Sequence, residues 1–389
     1  MYNIKKMNKI SPVIYDYLPK EEFNVSSHME DSEADGLIVR SADCHSVDFP
    51  NRLLAIARAG AGVNNIPCDQ CTEQGVVVFN TPGANANGVK ELVLGAMVAA
   101  SRNLFDAYDW AKTLKGKGDE VPKLVEKGKG QFVGGELAGK TLGVIGLGAI
   151  GILVANTAAA IGMDVIGYDP YMSVDRAWTI STRTHRAEKL DELLAASDFI
   201  SLHIPQTADN KNFLATPEFS KMKEGVIIMN FARGGLVKTT SLFDAIDAGT
   251  VKSYVTDFPD DDMIDRKGVI AIPHLGASTP ESEENCAVMA AKQLSDFFLT
   301  GTIVNSINMP ECIVPPSDTA RLTIIHKNLP NMVGQITQTV ATHGINISEM
   351  VNKSRGDIAY TVINLDNELP DALYNDICAI EGIIKARKI

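Results

Sequence analysis

The sequence predicts an α/β protein with two parallel-sheet lobes and a small α+β domain at its carboxyl end. Short β-branched apolar runs alternate with helical patterns through most of the chain. Strands that are apolar throughout are typical of parallel sheets covered by helices on both faces. The runs form two clusters, one before residue 82 and one after residue 141. A Pro-rich segment, NMPECIVPPSD at 308–318, then precedes a region of different pattern.

The strand candidates of both lobes are short and have β-branched centres. In chain order they are GLIVRS (36–41), LLAIAR (53–58), GVVVFN (75–80), TLGVIG (141–146), DVIGYD (164–169), DFISLHI (198–204), GVIIMNF (225–231), SYVTDF (253–258) and GVIAIPH (268–274). Residues 88–101 predict a helix that crosses from the first lobe towards the second, and a long helix over about 279–300 runs back. The first lobe is therefore expected to be discontinuous. Residues 115–135 are rich in Lys and Gly and are expected to form a loop.

The final region, 319–389, reads strand, helix, strand, strand, helix, strand. This order is typical of a ferredoxin-like α+β domain. The expected domains are residues 1–97 with 286–310, residues 98–285, and residues 319–389.

Composition excludes several classes of function. The 389 residues are 45% hydrophobic and 22% charged, which suits two or three full cores. The net charge is −12 without any basic block, which argues against nucleic acid or an anionic membrane as partner. The longest apolar run, residues 92–100, is shorter than the roughly 18 residues of a bilayer span. The six cysteines are scattered, so no metal site is expected, and we expect a cytoplasmic protein.

A glycine pattern predicts the cofactor. Gly146, Gly148 and Gly151 form G-x-G-x-x-G between a predicted strand and a predicted helix, where a pyrophosphate can approach the backbone. The next strand ends in Asp169, eighteen residues after Gly151, where a carboxylate can accept both ribose hydroxyls and repel a 2′-phosphate. The pattern predicts a Rossmann-like lobe that binds NAD. Four further residues complete the expected cofactor contacts: Ala149, Ile150, Ala232 and Asp257.

Two polar residues after strands of the same lobe predict the chemistry. Arg233 follows one strand and His274 follows another. Ligands of open parallel sheets bind at the carboxyl ends of the strands. A dehydrogenase of 2-hydroxy acids needs a cation for the carboxylate and a base of pKa near 7 for the hydroxyl proton. Arg233 and His274 suit these two roles.

Several segments together resemble one family. They are GGELAGKTLGVIGLGAIG, NFARGGLV, IPHLGAST, RAGAGVNNI and FNTPGANANGVKELVLG. Across essentially the whole chain these segments resemble the D-isomer-specific 2-hydroxyacid dehydrogenases, and within them the members that oxidise 3-phospho-D-glycerate. The resemblance implies two Rossmann-like or flavodoxin-like lobes with the active site in the cleft between them. It also implies that Arg233 binds the substrate carboxylate, and that His274 exchanges the proton of the C2 hydroxyl.

The same resemblance implies a site for the 3-phosphate in the first lobe. An arginine fork matches a phosphate in charge and geometry. The residues concerned are Arg40, Ser41 and Arg58, with the backbone of Gly60, Ala61, Gly62 and Val63 assisting at the carboxylate. A reductase of hydroxypyruvate or glyoxylate would not need these arginines and is one alternative. A non-catalytic, NAD-binding regulatory protein is another.

Two departures from the family pattern leave roles open. The family normally pairs its histidine with a Glu, whereas this chain has TDFPDDD at 256–262. Counting from Arg233 assigns that role to Asp262, and aligning the Phe-Pro assigns it to Asp261; the third alternative is that the pairing is absent. Lys90 stands where the family commonly has a small residue, so it either contacts substrate, acts as proton donor, or points to solvent.

Residues 319–389 resemble an ACT domain, a small amino-acid-sensing unit. His326, Asn328 and Asn346 have the spacing of the effector-binding groups in serine-inhibited members. Amide side chains offer both donors and acceptors, which suits a zwitterion. The resemblance implies L-serine as effector and a homodimer or homotetramer; a dimerisation domain without ligand is the alternative.

Overall fold

A computed structural model describes residues 1–7 and 9–389. The chain divides into two compact units, one of residues 1–85 and 283–389 and one of residues 86–282. The polypeptide leaves the first unit after residue 85 and re-enters it at residue 283. That unit is therefore built from both ends of the chain.

The first unit contains a five-stranded parallel sheet with the order β2-β1-β3-β4-β5. Leu37 and Ile56 pack on one face of this sheet and Ile38 and Ala57 on the other, all four fully or almost fully buried. Burial on both faces explains why these strands are apolar throughout. The elements are β1 (Tyr2–Lys6), β2 (Phe23–Ser26), β3 (Gly36–Val39), β4 (Ala55–Arg58), α1 (Cys68–Glu73) and β5 (Val77–Phe79).

The second unit contains a seven-stranded parallel sheet with the order β12-β11-β10-β9-β6-β7-β8. Chain order reverses at β6, which lies between β7 and β9, and such a reversal opens a crevice for ligands at the carboxyl edge. The strands are β6 (Thr141–Ile145), β7 (Asp164–Tyr168), β8 (Thr184–Arg186), β9 (Phe199–Leu202), β10 (Val226–Asn230), β11 (Val251–Thr256) and β12 (Val269–Ala271). The helices are α2 (Ala86–Ser101), α3 (Leu104–Lys112), α4 (Val121–Gly128), α5 (Ala149–Ala160), α6 (Val174–Ala177), α7 (Leu190–Ala196), α8 (Thr216–Phe219) and α9 (Thr239–Asp247).

Helix α2 belongs wholly to the second unit. Its apolar stripe of Val89, Val93 and Met97 packs into the core beneath the seven-stranded sheet. The domain boundary predicted at residue 97 lies inside this helix, whereas the units divide at residue 85.

The segment expected to be a loop, 115–135, contains helix α4 between two short 3₁₀ helices. Pro122 lies in the first turn of α4, where a proline suits a helix. Gly128 is the last residue of α4, and a side chain there would lie 2.3 Å from the Trp110 ring. The centroid of that ring lies 5.4 Å from the centroid of the Phe132 ring. One of the glycines that suggested a loop, Gly128, therefore allows the Trp110 ring to pack against α4.

The C-terminal region forms a four-stranded antiparallel sheet with the order β14-β15-β13-β16, the order of a ferredoxin-like domain. Leu322 and Ile324 pack beneath the two helices on one face. Ile325 and Tyr360 lie on the other face, in the same core as residues of the five-stranded sheet. The elements are α10 (Pro280–Thr300), β13 (Arg321–Lys327), α11 (Met332–Thr342), β14 (Ile347–Arg355), β15 (Ile358–Leu365), α12 (Asp371–Cys378) and β16 (Ile383–Lys388).

The C-terminal sheet also caps the end of α10. Arg387 donates to the carbonyl oxygens of Phe297 and Phe298 at 2.5 and 3.2 Å. Arg321 donates to the Thr300 carbonyl at 2.6 Å. Cations near the last carbonyls of a helix are favoured by the helix dipole. Polar bonds as well as apolar packing thus join the C-terminal sheet to the rest of the first unit.

The two parallel-sheet lobes and the small antiparallel domain confirm the predicted fold class. All nine predicted strands of the two lobes are present, together with β1, β2 and β8, which the sequence analysis missed. Within residues 1–7 and 9–389, no helix has the length and apolar content to cross a bilayer.

Candidate active site

The glycine turn between β6 and α5 has the geometry of a phosphate cradle. Gly146 has a φ of +90°, and a side chain there would lie 2.6 Å from the His203 carbonyl oxygen. A side chain at Gly151 would lie 2.0 Å from the Gly146 carbonyl oxygen, so this glycine lets the helix approach its strand. A side chain at Gly148 would meet no atom within 4 Å. The space beside Gly148, at the start of α5, is therefore open to a ligand.

Asp169 follows β7 beside this turn. Its Oδ2 accepts from the Leu147 amide at 2.9 Å, and its Oδ1 accepts from the Tyr171 amide at 2.9 Å. Two backbone donors hold the carboxylate, and each oxygen retains a lone pair for a ribose hydroxyl. Ala149 and Ile150 begin α5 next to the same opening.

His203 is a residue of this region that the sequence analysis missed. It follows β9, and its Nε2 lies 2.8 Å from Oγ of the buried Ser201. Desolvation by burial lowers the pKa of His203 to about 4, so the imidazole is neutral at physiological pH. A serine two residues before the histidine, on the same side of the strand, was the signal available in the sequence.

Arg233 lies in a turn after β10, and hydrogen bonds of the Asn230 side chain hold this turn. The Asn230 Nδ2 donates to the Arg233 carbonyl oxygen at 2.9 Å, and its Oδ1 accepts from the amides of Ala232 and Arg233 at 3.2 and 3.4 Å. The guanidinium of Arg233 is exposed and donates to the Ala232 carbonyl oxygen at 2.8 Å. Hydrogen bonds to Asn230 hold the main chain of Arg233, while its exposed guanidinium group retains further N–H donors.

His274 follows β12 and rests on an aromatic side chain. Its ring centroid lies 4.5 Å from that of Phe258, at an interplanar angle of 50°. Among residues 1–7 and 9–389, no hydrogen bond or ion pair engages a ring nitrogen of His274. Phe258 could not be recognised in the sequence, because only the fold brings the loop after β11 against the loop after β12.

Asp257 is the carboxylate that the structure associates with His274. It is 2% exposed, and its Oδ2 accepts from the Gly276 amide at 3.2 Å. Burial raises the pKa of Asp257, and the Gly276 amide and the charge of His274 oppose this rise. Its Oδ1 is buried and accepts no hydrogen bond from the described residues.

The structure does not pair Asp261 or Asp262 with His274. Both are exposed and lie in a 3₁₀ helix, Asp261–Met263, in which the Met263 amide donates to Oδ1 of Asp260 at 3.1 Å. No carboxylate within the described ranges lies at ion-pair distance from the His274 ring. The buried carboxylate of Asp257 interacts with His274 electrostatically instead.

Lys90 of α2 bonds within its own helix. Its Nζ donates to Asn87 Oδ1 at 2.6 Å and lies 3.6 Å from Glu91 Oε1. The side chain is 17% exposed. Lys90 therefore neither points freely into solvent nor contacts Arg233 or His274 within the described ranges.

The arginines expected at a phosphate lie in the first unit. Arg40 follows β3 and Arg58 ends the neighbouring strand β4, so both stand at one sheet edge. The Arg40 Nη1 lies 2.7 Å from Oε1 of Glu283, which the sequence analysis missed. The Arg58 guanidinium covers Gly60, where a side chain would lie 2.5 Å from its Nη1. Ser41 follows Arg40, and the Gly60–Val63 loop leaves β4 at this edge.

The three residues expected to bind an effector lie in the C-terminal domain and bond to other groups. His326 is 1% exposed, with ring nitrogens 2.8 Å from the Lys327 carbonyl oxygen and 2.9 Å from Thr361 Oγ1. Asn328 donates to the Gly356 carbonyl oxygen at 3.0 Å, and Asn346 to Asp366 Oδ2 at 2.6 Å. Only the two asparagines present their side chains at the surface.

Comparison with known proteins identifies the family. The model of the D-isomer specific 2-hydroxyacid dehydrogenase, NAD binding domain, matches residues 94–276. A putative D-3-phosphoglycerate dehydrogenase of Schizosaccharomyces pombe is 30% identical over 84% of this chain and 72% of its own length. The chain belongs to the D-isomer specific 2-hydroxyacid dehydrogenases. The family predicted from the sequence motifs is confirmed.

Two further relatives are named D-3-phosphoglycerate dehydrogenase. The D-3-phosphoglycerate dehydrogenase of Methanocaldococcus jannaschii is 34% identical over 82% of this chain and 60% of its own length. The chain thus spans about three fifths of the length of that relative and of the one from Archaeoglobus fulgidus, at 60% and 59%. An NAD⁺-bound 3-phosphoglycerate dehydrogenase structure of Entamoeba histolytica has a TM-score of 0.60 at 28% identity, covering 79% of this chain and 98% of that one.

The cofactor of this dehydrogenase domain is NAD, as predicted from the glycine pattern. The residues present fit that cofactor. No protein atom lies within 4 Å of a side chain added at Gly148, and the Asp169 carboxylate accepts from the Leu147 amide in the same turn. The orphaned Oδ1 of Asp257 provides a buried acceptor at the same sheet edge.

Proposed function

We propose that this protein catalyses the NAD-dependent oxidation of 3-phospho-D-glycerate to 3-phosphohydroxypyruvate, the first step of L-serine synthesis. The observation that carries the proposal is the position of Arg233 and His274. They follow β10 and β12 at the carboxyl edge of the sheet whose strand β6 ends in the glycine turn. The edge that binds the cofactor thus carries a cation for a carboxylate and a base for a hydroxyl.

In the proposed mechanism, Arg233 binds the substrate and His274 transfers the proton. The exposed guanidinium fork of Arg233 binds the substrate carboxylate in bidentate fashion and orients C2. A ring nitrogen of His274 accepts the proton of the C2 hydroxyl. NAD, when bound, supplies the acceptor for the hydride from C2. The negative charge of Asp257 stabilises the imidazolium that forms.

The phosphate is assigned to the first unit. Arg40 and Arg58 stand at the ends of adjacent parallel strands, and both influence the thiol of Cys286 electrostatically. Two guanidinium groups at one edge form a strong site for a phosphate dianion. The single arginine fork needed for a carboxylate is provided elsewhere, by Arg233. The pair of arginines therefore supports a phosphorylated substrate.

The test is NADH oxidation with 3-phosphohydroxypyruvate beside hydroxypyruvate and 2-oxoglutarate. We expect the phosphorylated acid to have the highest kcat/KM, and Arg58→Gln to lower that value about a hundredfold, since a lost charge-assisted pair costs about 3 kcal/mol. Arg52→Gln is the matched control, because Arg52 lies before the other end of β4 and pairs with Asp35. Equal turnover of all three acids would contradict the substrate assignment.

One observation favours a second candidate, a reductase of an unphosphorylated 2-oxo acid. Glu283 lies 2.7 Å from Arg40 and offsets its charge. Because Glu283 partly neutralises Arg40, the site attracts a phosphate dianion less strongly. Turnover of hydroxypyruvate that is insensitive to Arg58→Gln would favour this candidate.

Inhibition by L-serine at the C-terminal domain is part of the proposal. The exposed side chains of Asn328 and Asn346 support it, since an amide can bind both ends of a zwitterion. His326 bonds Thr361 on the buried side, so the first contacts of an effector are assigned to the asparagines. By linkage, serine binding should weaken when substrate and NAD are bound. Isothermal titration with and without both ligands tests this, and unchanged affinity would contradict the coupling.

Assembly into a homodimer or homotetramer is also proposed, as is a cytoplasmic location. Strand β14 forms one edge of the C-terminal sheet, and an unpaired edge can add a strand from a second copy. All six cysteines are free thiols, which suits a reducing compartment. Light scattering on the purified protein measures the mass, and a monomer would contradict the assembly.

A further inference from the structure

Asn230, the last residue of β10, is the centre of a buried hydrogen-bond network. It is 1% exposed, and three of its bonds hold the turn that carries Arg233. The second Nδ2 hydrogen points away from the turn and is donated to the Tyr254 hydroxyl at 3.0 Å. The orientation of the amide, and with it the turn, therefore depends on a group in the neighbouring strand.

Tyr254 and Thr256 lie two residues apart on β11 and so face the same side of the sheet. They are 2% and 0% exposed. Burial raises the pKa of Tyr254 to about 12, so its hydroxyl stays protonated at neutral pH. The Thr256 Oγ1 donates to the Asn230 carbonyl oxygen at 3.0 Å, which fixes the backbone of the same asparagine.

Thr256 also supports the other half of the site. Its Oγ1 accepts from the Phe258 amide at 3.1 Å, at the start of the loop whose aromatic ring lies 4.5 Å from the His274 ring. One buried hydroxyl thus bonds the strand that leads to Arg233 and the loop that supports His274. Both residues are almost completely buried, so a substrate cannot touch either hydroxyl. Any effect of these hydroxyls on the reaction is therefore indirect.

We propose that Tyr254 and Thr256 are positioning residues of this dehydrogenase. Tyr254 holds the Asn230 amide so that Arg233 presents its guanidinium to the substrate carboxylate. Thr256 holds the loop on which His274 rests. The inference rests on the proposed function, because it assigns Arg233 and His274 the carboxylate and the proton.

The first test is Tyr254→Phe, which removes one hydroxyl and retains the ring. We expect KM for the 2-oxo acid to rise about fivefold, the equivalent of the roughly 1 kcal/mol of one buried hydrogen bond. The Kd of NADH, measured by its fluorescence, stays unchanged. Tyr374→Phe is the matched control, since it removes a hydroxyl bonded to the Ala386 carbonyl oxygen in the C-terminal domain. An equal KM in both variants would overturn the role of Tyr254.

A double-mutant cycle shows whether Tyr254 acts through Arg233. The probe is oxamate, an unreactive analogue of a 2-oxo acid, bound to the protein saturated with NADH. Tyr254→Phe should weaken oxamate about fivefold in the unaltered protein and leave its affinity unchanged in Arg233→Gln, because coupled residues are non-additive. Equal losses in both backgrounds would mean that the tyrosine acts independently of the arginine.

Thr256 is tested by a conservative pair. Thr256→Val removes the hydroxyl and should lower kcat about fivefold while KM changes little. Thr256→Ser keeps a hydroxyl, so its kcat should lie within about twofold of the unaltered protein's value. A serine variant as slow as the valine variant would overturn the role of the hydroxyl. If the unaltered protein reduces no 2-oxo acid at all, the proposed function fails. If it reduces one and the variants match it, only this inference fails.

Discussion

The guanidinium carbon of Arg387 lies 4.3 Å from the centre of the Phe297 ring, while Nη2 of the same arginine donates to the Phe297 carbonyl oxygen. One side chain of the last strand therefore contacts both the ring and the backbone of one residue near the end of α10. Burial lowers the pKa of Arg387, which shows how far this cation has been removed from water.

Arg387→Ala should destabilise the first unit by about 2–4 kcal/mol, because it removes the hydrogen bonds that Arg387 donates to two carbonyls and opens a cavity between aromatic rings. The melting temperature reports this loss. Lys388→Ala is the neighbouring control, since Lys388 pairs with an aspartate whose side chain is 94% exposed. A similar melting temperature for both variants would contradict the structural role of Arg387.

Gly148→Ala and Gly151→Ala should separate cofactor binding from folding. A methyl group at Gly148 meets no protein atom but occupies the opening at α5, so NADH affinity should fall at least about tenfold with an unchanged melting temperature. A methyl group at Gly151 would lie 2.0 Å from a carbonyl oxygen, so that variant should lose stability. Normal NADH binding by Gly148→Ala would place the pyrophosphate elsewhere.

His203 should reduce stability in acid. Its folded-state pKa of about 4 lies below the unfolded value of 6.5, so the unfolded chain binds more protons between these limits. Relative to His203→Asn, the unaltered protein should lose up to about 3 kcal/mol as the pH falls from 6.5 to 4, at about 1.4 kcal/mol per pKa unit. Urea unfolding at pH 7, 5.5 and 4.5 measures the difference. A constant difference would mean that His203 titrates normally.

Arg233→Lys should lower kcat/KM for 2-oxo acids about a hundredfold or more, because an ammonium cannot replace a bidentate fork. The Kd of NADH should change less than about twofold, since no contact joins Arg233 to the glycine turn among residues 1–7 and 9–389. Arg183→Lys is the matched control on an exposed loop. Loss of NADH binding in Arg233→Lys would indicate damage to the fold instead.

Much of the fold could be predicted from local patterns. The nine strands recognised in the two lobes are apolar on both faces, and this pattern is visible in the sequence. The missed strands lie at or near sheet edges or carry polar residues: β2 and β8 are edge strands, and β1 has a single fully buried residue, Ile4, followed by two lysines. Helix α4 was missed because the Lys/Gly-rich stretches 115–118 and 127–130 flank and overlap it.

In the candidate site, too, the features formed by neighbouring residues could be predicted from the sequence, and those formed by distant residues could not. The glycine turn and Asp169 are close in sequence, so their spacing alone predicted them. The contact of Phe258 with His274 and the bond of Asn230 to Tyr254 join separate strands, and only the register of the sheet creates them. Counting from Arg233 suggested Asp262 as the partner of His274, and aligning the Phe-Pro suggested Asp261. Neither procedure can show that both carboxylates lie on an exposed 3₁₀ turn.

The interrupted course of the first unit has a consequence for synthesis on the ribosome. Residues 86–282 form an uninterrupted unit that can complete its sheet as soon as it emerges. The five-stranded sheet emerges earlier, but α10 and β16 are translated only after residues 86–282. Its apolar faces therefore stay uncovered until both elements have emerged, so we expect a chain truncated before Arg387 to carry one complete unit and one that needs chaperones.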